Sequence, residues 1–446
     1  MDTVAVYSPR TNSRLEYVLD WLLGERLQLR YTIITHESQT KELPFFIAYG
    51  AVLPNSISIP DEGLLWQQGI KEHMPATGTW NNVPTLYASD DLKHDIPFDI
   101  FSALFFLLTR YEEYYKYTPD KHGRYPATNS ILYKRNLLQR PVADEWVCLL
   151  RRQLLMSGET AVPEQHFAYQ PTYDIDMAYS HLHKGVARIV GAYMRALLKG
   201  DVQQISERMQ VMKKKQKDPF DSFRWLRQLH KEYDCRPIYF VLSALKTTAF
   251  DKNIHPEHPA MMRVIKNLVK DGAIGIHPSY YSDQSDTLQK EKHMLERISQ
   301  AATHLSRQHY IRVQTPATQR MLLAGNIQDD YSMGYGAHLG FRAGTGSPFA
   351  WYDLEQEKET TLRIHPFCFM DTTAHYENKL SAADAFAKLN DMSKRLEQTG
   401  STLITVFHNF SLGTGNEWKG WRQAYEHFVQ EKMELAHHGG AITSAM

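Results

Sequence analysis

The sequence is poor in cysteine, carries no net charge and has no long apolar run. Its three cysteines are widely spaced and form no CxxC pair, which argues against a disulfide framework and against a thiolate zinc site. The 50 basic and 50 acidic residues balance, so the chain as a whole has no field to gather nucleic acid or an anionic membrane. No stretch of about 18 apolar residues is available to span a bilayer. We therefore expect no nucleic-acid partner and no membrane insertion.

Three further signals are missing from the chain. The N-terminus lacks the basic region and apolar run of a signal peptide, which predicts a cytoplasmic protein. No Gly-x-Ser-x-Gly elbow is present, and this disfavours a serine hydrolase. The segment 344–347 is rich in glycine, but the Lys-Ser/Thr pair of a nucleotide phosphate loop does not follow it.

The length of the chain and the order of its local patterns predict two domains. A chain of 446 residues exceeds the usual domain size of roughly 100–200 residues. Residues 1–165 mix short strand-like and helix-like runs, including a buried helix at 97–114, and indicate a smaller α/β or α+β domain. The segment 157–163 is rich in helix breakers. We therefore predict a second domain over residues 166–446.

The second domain has the alternating strand and helix patterns of parallel β/α architecture. Its first clear helix has Asp218 as a candidate N-cap. Helix–strand pairs are predicted at 220–233 and 237–242, at 258–270 and 273–276, and at 382–398 and 402–407. In such folds the chemistry collects at the carboxyl ends of the strands. Polar residues at predicted strand ends are Asp174, Asp176, His277 and His408.

Asp174 and Asp176 are the first candidates for catalysis. Two carboxylates separated by one residue on an extended segment point the same way and can reach one site. A divalent metal accepts one carboxylate together with imidazole nitrogens, and it can polarise an acyl oxygen and lower the pKa of water. The second carboxylate is then free to act as a base. A solvated turn or a helix N-cap is the structural alternative for such a pair.

The segment 171–176, Pro-Thr-Tyr-Asp-Ile-Asp, resembles the first motif of the polysaccharide deacetylase superfamily. These carbohydrate esterases remove N- or O-acetyl groups with a metal held in a distorted (β/α)7 barrel. The resemblance implies such a barrel for residues 166–446, with zinc as the expected divalent metal. It also implies that Asp174 is the catalytic base and that Asp176 is a metal ligand.

The family's second motif, His-Ser/Thr-x-x-His, is met only in part. His277 matches the first histidine, and Tyr281 stands where the second metal-binding histidine is expected. Three explanations are open: the phenol is a weak ligand, another residue substitutes, or the metal is absent. His365, just after the strand-like run 362–364, is the first candidate substitute, and Asp371 is the second.

Two further motifs complete the resemblance. Arg307 matches the arginine that orients the base, and His309 is close to it in sequence. His408 ends the strand-like run 402–407 and matches the histidine that acts as general acid. Aromatic and hydrogen-bonding side chains suit sugar rings and hydroxyls. The predicted substrate-binding residues are Tyr281, Asp330, Tyr335 and Arg342.

The whole chain is also similar to a subgroup of bacterial proteins that pair an N-terminal domain of unknown function with this barrel. The similar pieces are residues 96–104, 110–114, 122–126, 329–335, 340–345, 365–367 and 370–371. No activity follows from these pieces. The first domain is expected to cover the barrel mouth or to bind a protein partner.

The leading hypothesis is a metal-dependent deacetylase that acts on an acetylated carbohydrate. A first alternative is a protein that binds carbohydrate without catalysis, or a scaffold that has lost the metal. A second alternative is a glycoside hydrolase on a related barrel, with Asp174 in an acid/base pair. Two other histidine pairs, His181 with His183 and His255 with His258, have spacings found in metal sites but lack an acidic or thiol companion.

Overall fold

The computed structural model describes residues 3–157, 162–198, 200–283 and 285–438. Residues 158–161, which belong to the segment predicted as a domain boundary, lie outside the described residues. Two sheets organise the chain, a four-stranded sheet near the N-terminus and a nine-stranded sheet after it. Across the described ranges, no helix is both long enough and apolar enough to cross a membrane.

The first half of the chain is built on a small parallel sheet. Its strands are β1 (Thr3–Tyr7), β2 (Arg30–Ile34), β3 (Phe46–Tyr49) and β4 (Ser56–Ile59), in the order β2-β1-β3-β4, followed by the antiparallel pair β5 (Thr77–Trp80) and β6 (Val83–Leu86). Its helices are α1 (Ser13–Leu19), α2 (Ile100–Leu108), α3 (Ile131–Lys134) and α4 (Val142–Ser157). The predicted helix at 97–114 is shorter, because Asp99 caps its start and Arg110 has left-handed backbone at its end.

The second half is built on a larger sheet that carries the candidate site. Its strands are β7 (Ala168–Ile175), β8 (Ile238–Leu242), β9 (Ala273–His277), β10 (Leu305–Ser306), β11 (Asp329–Met333), β12 (Phe349–Asp353), β13 (Lys358–Pro366), β14 (Phe369–Met370) and β15 (Thr402–His408). The order is β12-β13-β11-β10-β9-β8-β7-β15-β14. All neighbours are parallel except β12, which runs antiparallel to β13 at one edge.

Helices connect the parallel strands. They are α5 (Val186–Leu198), α6 (Val202–Met212), α7 (Phe223–Glu232), α8 (Pro259–Asp271), α9 (Ser285–Ser299), α10 (Ala317–Ala324), α11 (Ala382–Gln398) and α12 (Trp421–His438). The three predicted helix–strand pairs correspond to α7–β8, α8–β9 and α11–β15, with ends within three residues of the predictions. Amphipathic spacing and glycine at two of the helix ends explain this agreement.

The expected (β/α)7 barrel is met only in part. The sheet has eight parallel strands and one antiparallel edge strand, and within the described residues no pairing joins β12 to β14 to close it. The predicted N-cap is wrong, because α7 begins at Phe223 after Ser222. The Asp218 carboxylate instead accepts hydrogen bonds from the backbone N–H groups of Ser180, His181, Leu182 and Phe220.

The two halves share one apolar core. A single cluster of buried side chains extends from α1 and α2 into the nine-stranded sheet. The first half also covers the edge strand β12. There the Tyr17 hydroxyl donates a hydrogen bond of 2.8 Å to the carbonyl of Ala350, and the Trp21 indole donates one of 3.0 Å to the carbonyl of Pro348.

Candidate active site

Strand register places the candidate residues at one edge of the large sheet. In the pairing of β7 with β15, Asp174 lies opposite His408, and both β9 and β10 end at the same edge. Ile175 is fully buried between the two aspartates, so the alternation of side chains directs Asp174 and Asp176 toward the same face. This edge is formed by the carboxyl ends of the parallel strands, where the sequence predicted the chemistry.

Asp176, His277 and His309 form a cluster that can hold a metal ion. One ligand atom from each lies within 4.8 Å of the other two. Asp176 Oδ1 lies 3.1 Å from Nε2 of His277, and Asp176 Oδ2 lies 3.4 Å from Nε2 of His309. One carboxylate and two imidazoles are a common ligand set for catalytic zinc.

Both imidazoles are oriented by acceptors on their far side. His277 donates through Nδ1 to the backbone carbonyl of Arg307, and His309 Nδ1 lies 3.1 Å from Oδ1 of Asp251. Because the Nδ1–H groups are used in this way, the Nε2 atoms face Asp176 and become ligand atoms when they are deprotonated. Asp176 Oδ1 is buried and accepts no hydrogen bond of good geometry. The ligand atoms that are present therefore fit a divalent cation.

Opposite charges in this cluster stabilise one another. Burial would raise the pKa of Asp176, but the imidazoles of His309 and His277 outweigh burial and hold that pKa well below its usual value. Burial would likewise lower the pKa of His309, and the carboxylates of Asp176 and Asp251 raise it to about 9. The cluster thus favours an ionised carboxylate beside positive charge.

Asp174 is held by a buried arginine. Arg307 Nη1 donates a hydrogen bond of 2.8 Å to Asp174 Oδ1, and Arg307 Nε donates one of 2.9 Å to the carbonyl of Tyr331. The guanidinium carbon also lies 4.4 Å from the centre of the Phe240 ring. Each of these contacts restricts the guanidinium, so Asp174 has a fixed cationic partner. The structure therefore brings Arg307 into contact with Asp174, and the orienting role of Arg307 stays a prediction.

His408 has a carboxylate partner of its own. Its Nδ1 donates to Asp371 Oδ1 over 2.7 Å, and its backbone N–H donates to Asp371 Oδ2 over 2.7 Å. Its Nε2 faces the cluster, 3.4 Å from Asp176 Oδ2. Burial would lower the pKa of His408, but the carboxylates of Asp371 and Asp176 raise it well above the usual value. Asp371 therefore lies behind His408, and not in the metal cluster as its second-candidate assignment required.

A cavity of about 240 Å³ opens over these groups. Its base is formed by the carboxylates and imidazoles described above, and its walls carry several aromatic faces. The aromatic wall residues are Phe250, Tyr310, Tyr376 and Phe410. A polar base beneath aromatic walls is the usual composition of a small-ligand site.

One wall of the cavity comes from the first half of the chain. His122 and Arg124 line it, and both lie on the loop 120–124. Arg124 Nη1 donates to the carbonyl of Tyr310 over 2.8 Å, and Arg312 Nε donates to the carbonyl of His122 over 3.0 Å. A side chain at Gly336 would collide with Arg124, which explains the glycine there. Hydrogen bonds therefore join the loop 120–124 directly to the segment that follows β10.

Several predicted site residues lie away from this cavity. His365 is inside β13, where its Nε2 lies 2.7 Å from Asp329 and its ring stacks on Tyr331. It does not join the metal cluster, because His309 occupies that position. Tyr281 is 57% exposed and packs on Phe250 and Tyr280, outside the cavity wall.

The predicted binding residues Asp330, Tyr335 and Arg342 are buried structural groups. Arg342 forms an ion pair with Glu113 at 2.6 Å, and Asp330 accepts a hydrogen bond from the Ser332 hydroxyl. Tyr335 lies over the Arg342 guanidinium. None of the three lines the cavity, because Asp330 lies within β11, and Tyr335 and Arg342 contact Arg110 and Glu113 of the first half.

Motif spacing missed or undervalued two residues of the candidate site. His309 follows Arg307 by two residues, and the same i, i+2 relation links Asp174 and Asp176, so this spacing was an available signal. Asp251 belongs to no motif and lies in a loop, and its role behind His309 depends on the tertiary fold. The lower-ranked histidine pairs stay outside the site: His181 bonds Glu207, and His183 packs on His258.

Comparisons with known proteins give a limited result. A family of unknown function, DUF7033, matches residues 4–158. Among curated proteins none matches the chain. A structure described as a polysaccharide deacetylase from Mycobacterium smegmatis is 14% identical, with a TM-score of 0.39, over 63% of this chain and 92% of that one.

Two other solved structures are similar to a comparable degree. A polysaccharide deacetylase from Pseudomonas aeruginosa PAO1 is 13% identical, with a TM-score of 0.38, over 61% of this chain and 91% of that one. An allantoinase is 12% identical, with a TM-score of 0.38, over 63% of this chain and 93% of that one. Because these values are low, the chemistry of this chain is assigned from its own side chains.

Proposed function

We propose that this protein is a metal-dependent hydrolase that removes an acetyl group from a sugar or polysaccharide intermediate. One observation carries the proposal. A carboxylate held by an arginine, a cluster of one carboxylate and two imidazoles, and an imidazole held by a carboxylate converge on one cavity. Acyl transfer needs a base, an electrophile and an acid, and each of these three groups suits one role.

The metal would be held by Asp176, His277 and His309, with zinc preferred by this ligand set. When bound, such an ion polarises the acyl carbonyl and lowers the pKa of water. Asp251 and the carbonyl of Arg307 would keep the two imidazoles in the binding orientation through their Nδ1–H groups.

The proton transfers fall to residues on either side of that cluster. Asp174 would take a proton from the attacking water, and Arg307 keeps its carboxylate aligned. As the water oxygen bonds to the acyl carbon, the bond from that carbon to the leaving nitrogen or oxygen breaks. His408 would protonate the leaving atom, so the products are acetate and a free amine or alcohol. Asp371 supports the imidazolium form of His408.

The cavity walls support a sugar as the substrate. Phe250, Tyr310 and Tyr376 offer flat apolar faces, and sugar rings present C–H faces that pack on such surfaces. The reacting groups lie below these faces, so an acyl group could enter while its ring stays between the walls. The family resemblance of the motif around Asp174 points to the same substrate class.

Acetate release tests the proposal. Purified protein is loaded with zinc and incubated with acetylated oligosaccharides of glucosamine, and free acetate is measured. We expect release that falls with a chelator, returns with zinc and is lost in Asp174→Asn. No release under any metal loading would refute the proposal, and shortened sugar chains in place of acetate would indicate a glycoside hydrolase.

A non-catalytic sugar-binding protein is the second candidate. Its support is the internal charge balance of the cluster, since protonated His309 can neutralise Asp176 without any cation. Calorimetry separates the two candidates. Glycan binding that is indifferent to chelator and to Asp174→Asn, together with no acetate release, would favour the second candidate.

A further inference from the structure

The helical hairpin formed by α5 and α6 exposes an apolar surface. These helices lie in the connection between β7 and α7, which begins at the carboxyl ends of the parallel strands. Their main contact with other helices is with each other. The two ends of the connection are joined by Asp218, which binds backbone N–H groups on both sides. The hairpin is thus attached at its base through Asp218.

The exposed apolar side chains are spaced as one face of each helix. On α5 they recur at intervals of four, three and one residues, and on α6 at intervals of seven and three. These spacings align side chains along a single helix face. Leu198 is 83% exposed and Val202 is 73% exposed, so the apolar face is turned away from the protein. The other members are Val190, Met194, Leu197, Met209 and Met212.

The same segment holds a concentrated positive charge. Residues 184–217 contain nine lysines and arginines and two acidic residues, although the whole chain has no net charge. The exposed run Lys213, Lys214 and Lys215 continues directly from the end of α6. The rest of the chain must therefore carry a net excess of seven acidic residues. Basic and exposed apolar side chains therefore occur together in this segment, and the net charge of the whole chain does not reveal it.

We propose that the α5–α6 hairpin binds the surface of an anionic membrane. An exposed apolar helix face flanked by lysine and arginine can bury its aliphatic side chains among acyl chains while its cations meet anionic headgroups. Nucleic acid would satisfy the cations but would leave the aliphatic face in water. A second copy of this chain would cover the apolar face but would bring two positive hairpins together.

This attachment would orient the rest of the molecule. The hairpin is inserted at the carboxyl end of β7, and the cavity opens at the same sheet edge. The acidic excess of the remaining chain would be repelled by the anionic surface, so the hairpin is the part that approaches it. The proposal does not depend on the proposed hydrolase activity.

Vesicle cosedimentation of the full-length protein tests the proposal. We expect binding to vesicles of phosphatidylcholine with phosphatidylglycerol, little binding to phosphatidylcholine alone, and weakening as salt rises. The apolar variant Leu197→Ser/Leu198→Ser/Val202→Ser and the charge variant Lys213→Glu/Lys214→Glu/Lys215→Glu should each lower the binding constant at least tenfold. Circular dichroism and the melting temperature should stay unchanged in both, because the altered side chains are exposed.

A matched control lies in the first half of the chain. Leu92 is 89% exposed and is followed by an exposed lysine, so Leu92→Ser/Lys93→Glu changes the same residue types elsewhere and should bind as the parent does. Three results of the vesicle and light-scattering measurements would overturn the proposal. They are no binding to anionic vesicles, undiminished binding by the apolar variant, and a dimer in light scattering that the apolar variant abolishes. Tighter binding to a DNA duplex than to the vesicles would also overturn it.

Discussion

Arg307 donates a hydrogen bond of 2.8 Å to Asp174 where neither side chain is more than 3% exposed. A buried carboxylate with one fixed cationic partner keeps its direction. The same arginine presents its backbone carbonyl to His277. One residue therefore orients both the proposed base and a proposed metal ligand, so a shift of Arg307 would move Asp174 and His277 together.

Substitution of Asp174 and substitution of Asp176 should have different effects on zinc binding and acetate release. Asp174→Asn removes the proposed base and should lower acetate release about 10²- to 10⁴-fold while zinc stays bound. Asp176→Asn should lose both zinc and activity, because it removes a proposed ligand. Metal content by atomic absorption, measured beside the rate, distinguishes them. Zinc loss in the Asp174 variant alone would show that the roles are reversed.

The third metal ligand should be His309 and not a residue at the position of Tyr281. His309→Ala should weaken zinc binding at least tenfold in a competition titration. Tyr281→His, which would complete the family motif, should leave the affinity unchanged, as should the control Tyr281→Phe, because Tyr281 is exposed and outside the cluster. A gain of affinity in Tyr281→His would contradict the assigned ligand set.

Removing the partner of His408 should shift the pH profile. The Asp371 carboxylate raises the pKa of His408, and a general acid loses its proton as the pH rises through that value. In Asp371→Asn the alkaline limb of kcat/KM should therefore move to lower pH, and kcat should fall. Asp329→Asn, which alters the similar pair with His365 outside the cavity, serves as control. An unmoved alkaline limb would argue against His408 as the acid.

Acid should weaken the contact between the two halves of the chain. Burial would raise the pKa of Glu113, but Arg342 and Arg110 hold it at about 2, below the usual 4.5. This depressed pKa contributes stability above pH 4.5 that is lost as the pH falls toward 2, about 3 kcal/mol in all. Glu113→Gln should be less stable at pH 7 in urea unfolding and should lack this acid-dependent loss.

The exposed Glu164→Gln is the control for that experiment, and it should retain the acid-dependent loss of the parent. An identical slope of unfolding free energy against pH in Glu113→Gln would show that the buried pair does not set acid stability.

The loop 120–124 should affect substrate binding more than turnover. His122→Ala removes a wall of the cavity but none of the proposed reacting groups. We expect KM to rise about fivefold, the equivalent of about 1 kcal/mol for one ring contact, with kcat nearly unchanged. His36→Ala alters an exposed histidine elsewhere in the same half and should change neither constant. A fall in kcat without a change in KM would contradict this role.

Local pattern was a good guide where one element decides the outcome. The structure places the buried strand ending at His408 and the amphipathic helix before it close to the predicted positions. Both elements are predictable because the spacing of apolar residues within each segment determines its type. The i, i+2 spacing of Asp174 and Asp176 likewise directs both side chains to one face of β7 or its extension. The roles of these residues remain proposals.

Pattern was a poor guide where distant segments meet. His365 follows a strand-like run, but β13 continues through it and turns its ring toward Asp329 and Tyr331. Arg342 reads as a polar loop residue, and only the packing of the first half against it makes it a buried partner of Glu113. The net charge of the whole chain also conceals the positive segment 184–217, because acidic residues elsewhere balance it.

The cover over β12 has a consequence for any attempt to isolate the second half of the chain. A sheet edge is a row of free backbone donors and acceptors, and an uncovered one recruits strands from other molecules. Here the side chains of Tyr17 and Trp21 occupy carbonyls along that edge. A fragment starting at residue 166 would bare the strand together with its apolar flank, and it would be prone to self-association during expression. The first half thus keeps this edge from pairing with strands of other molecules.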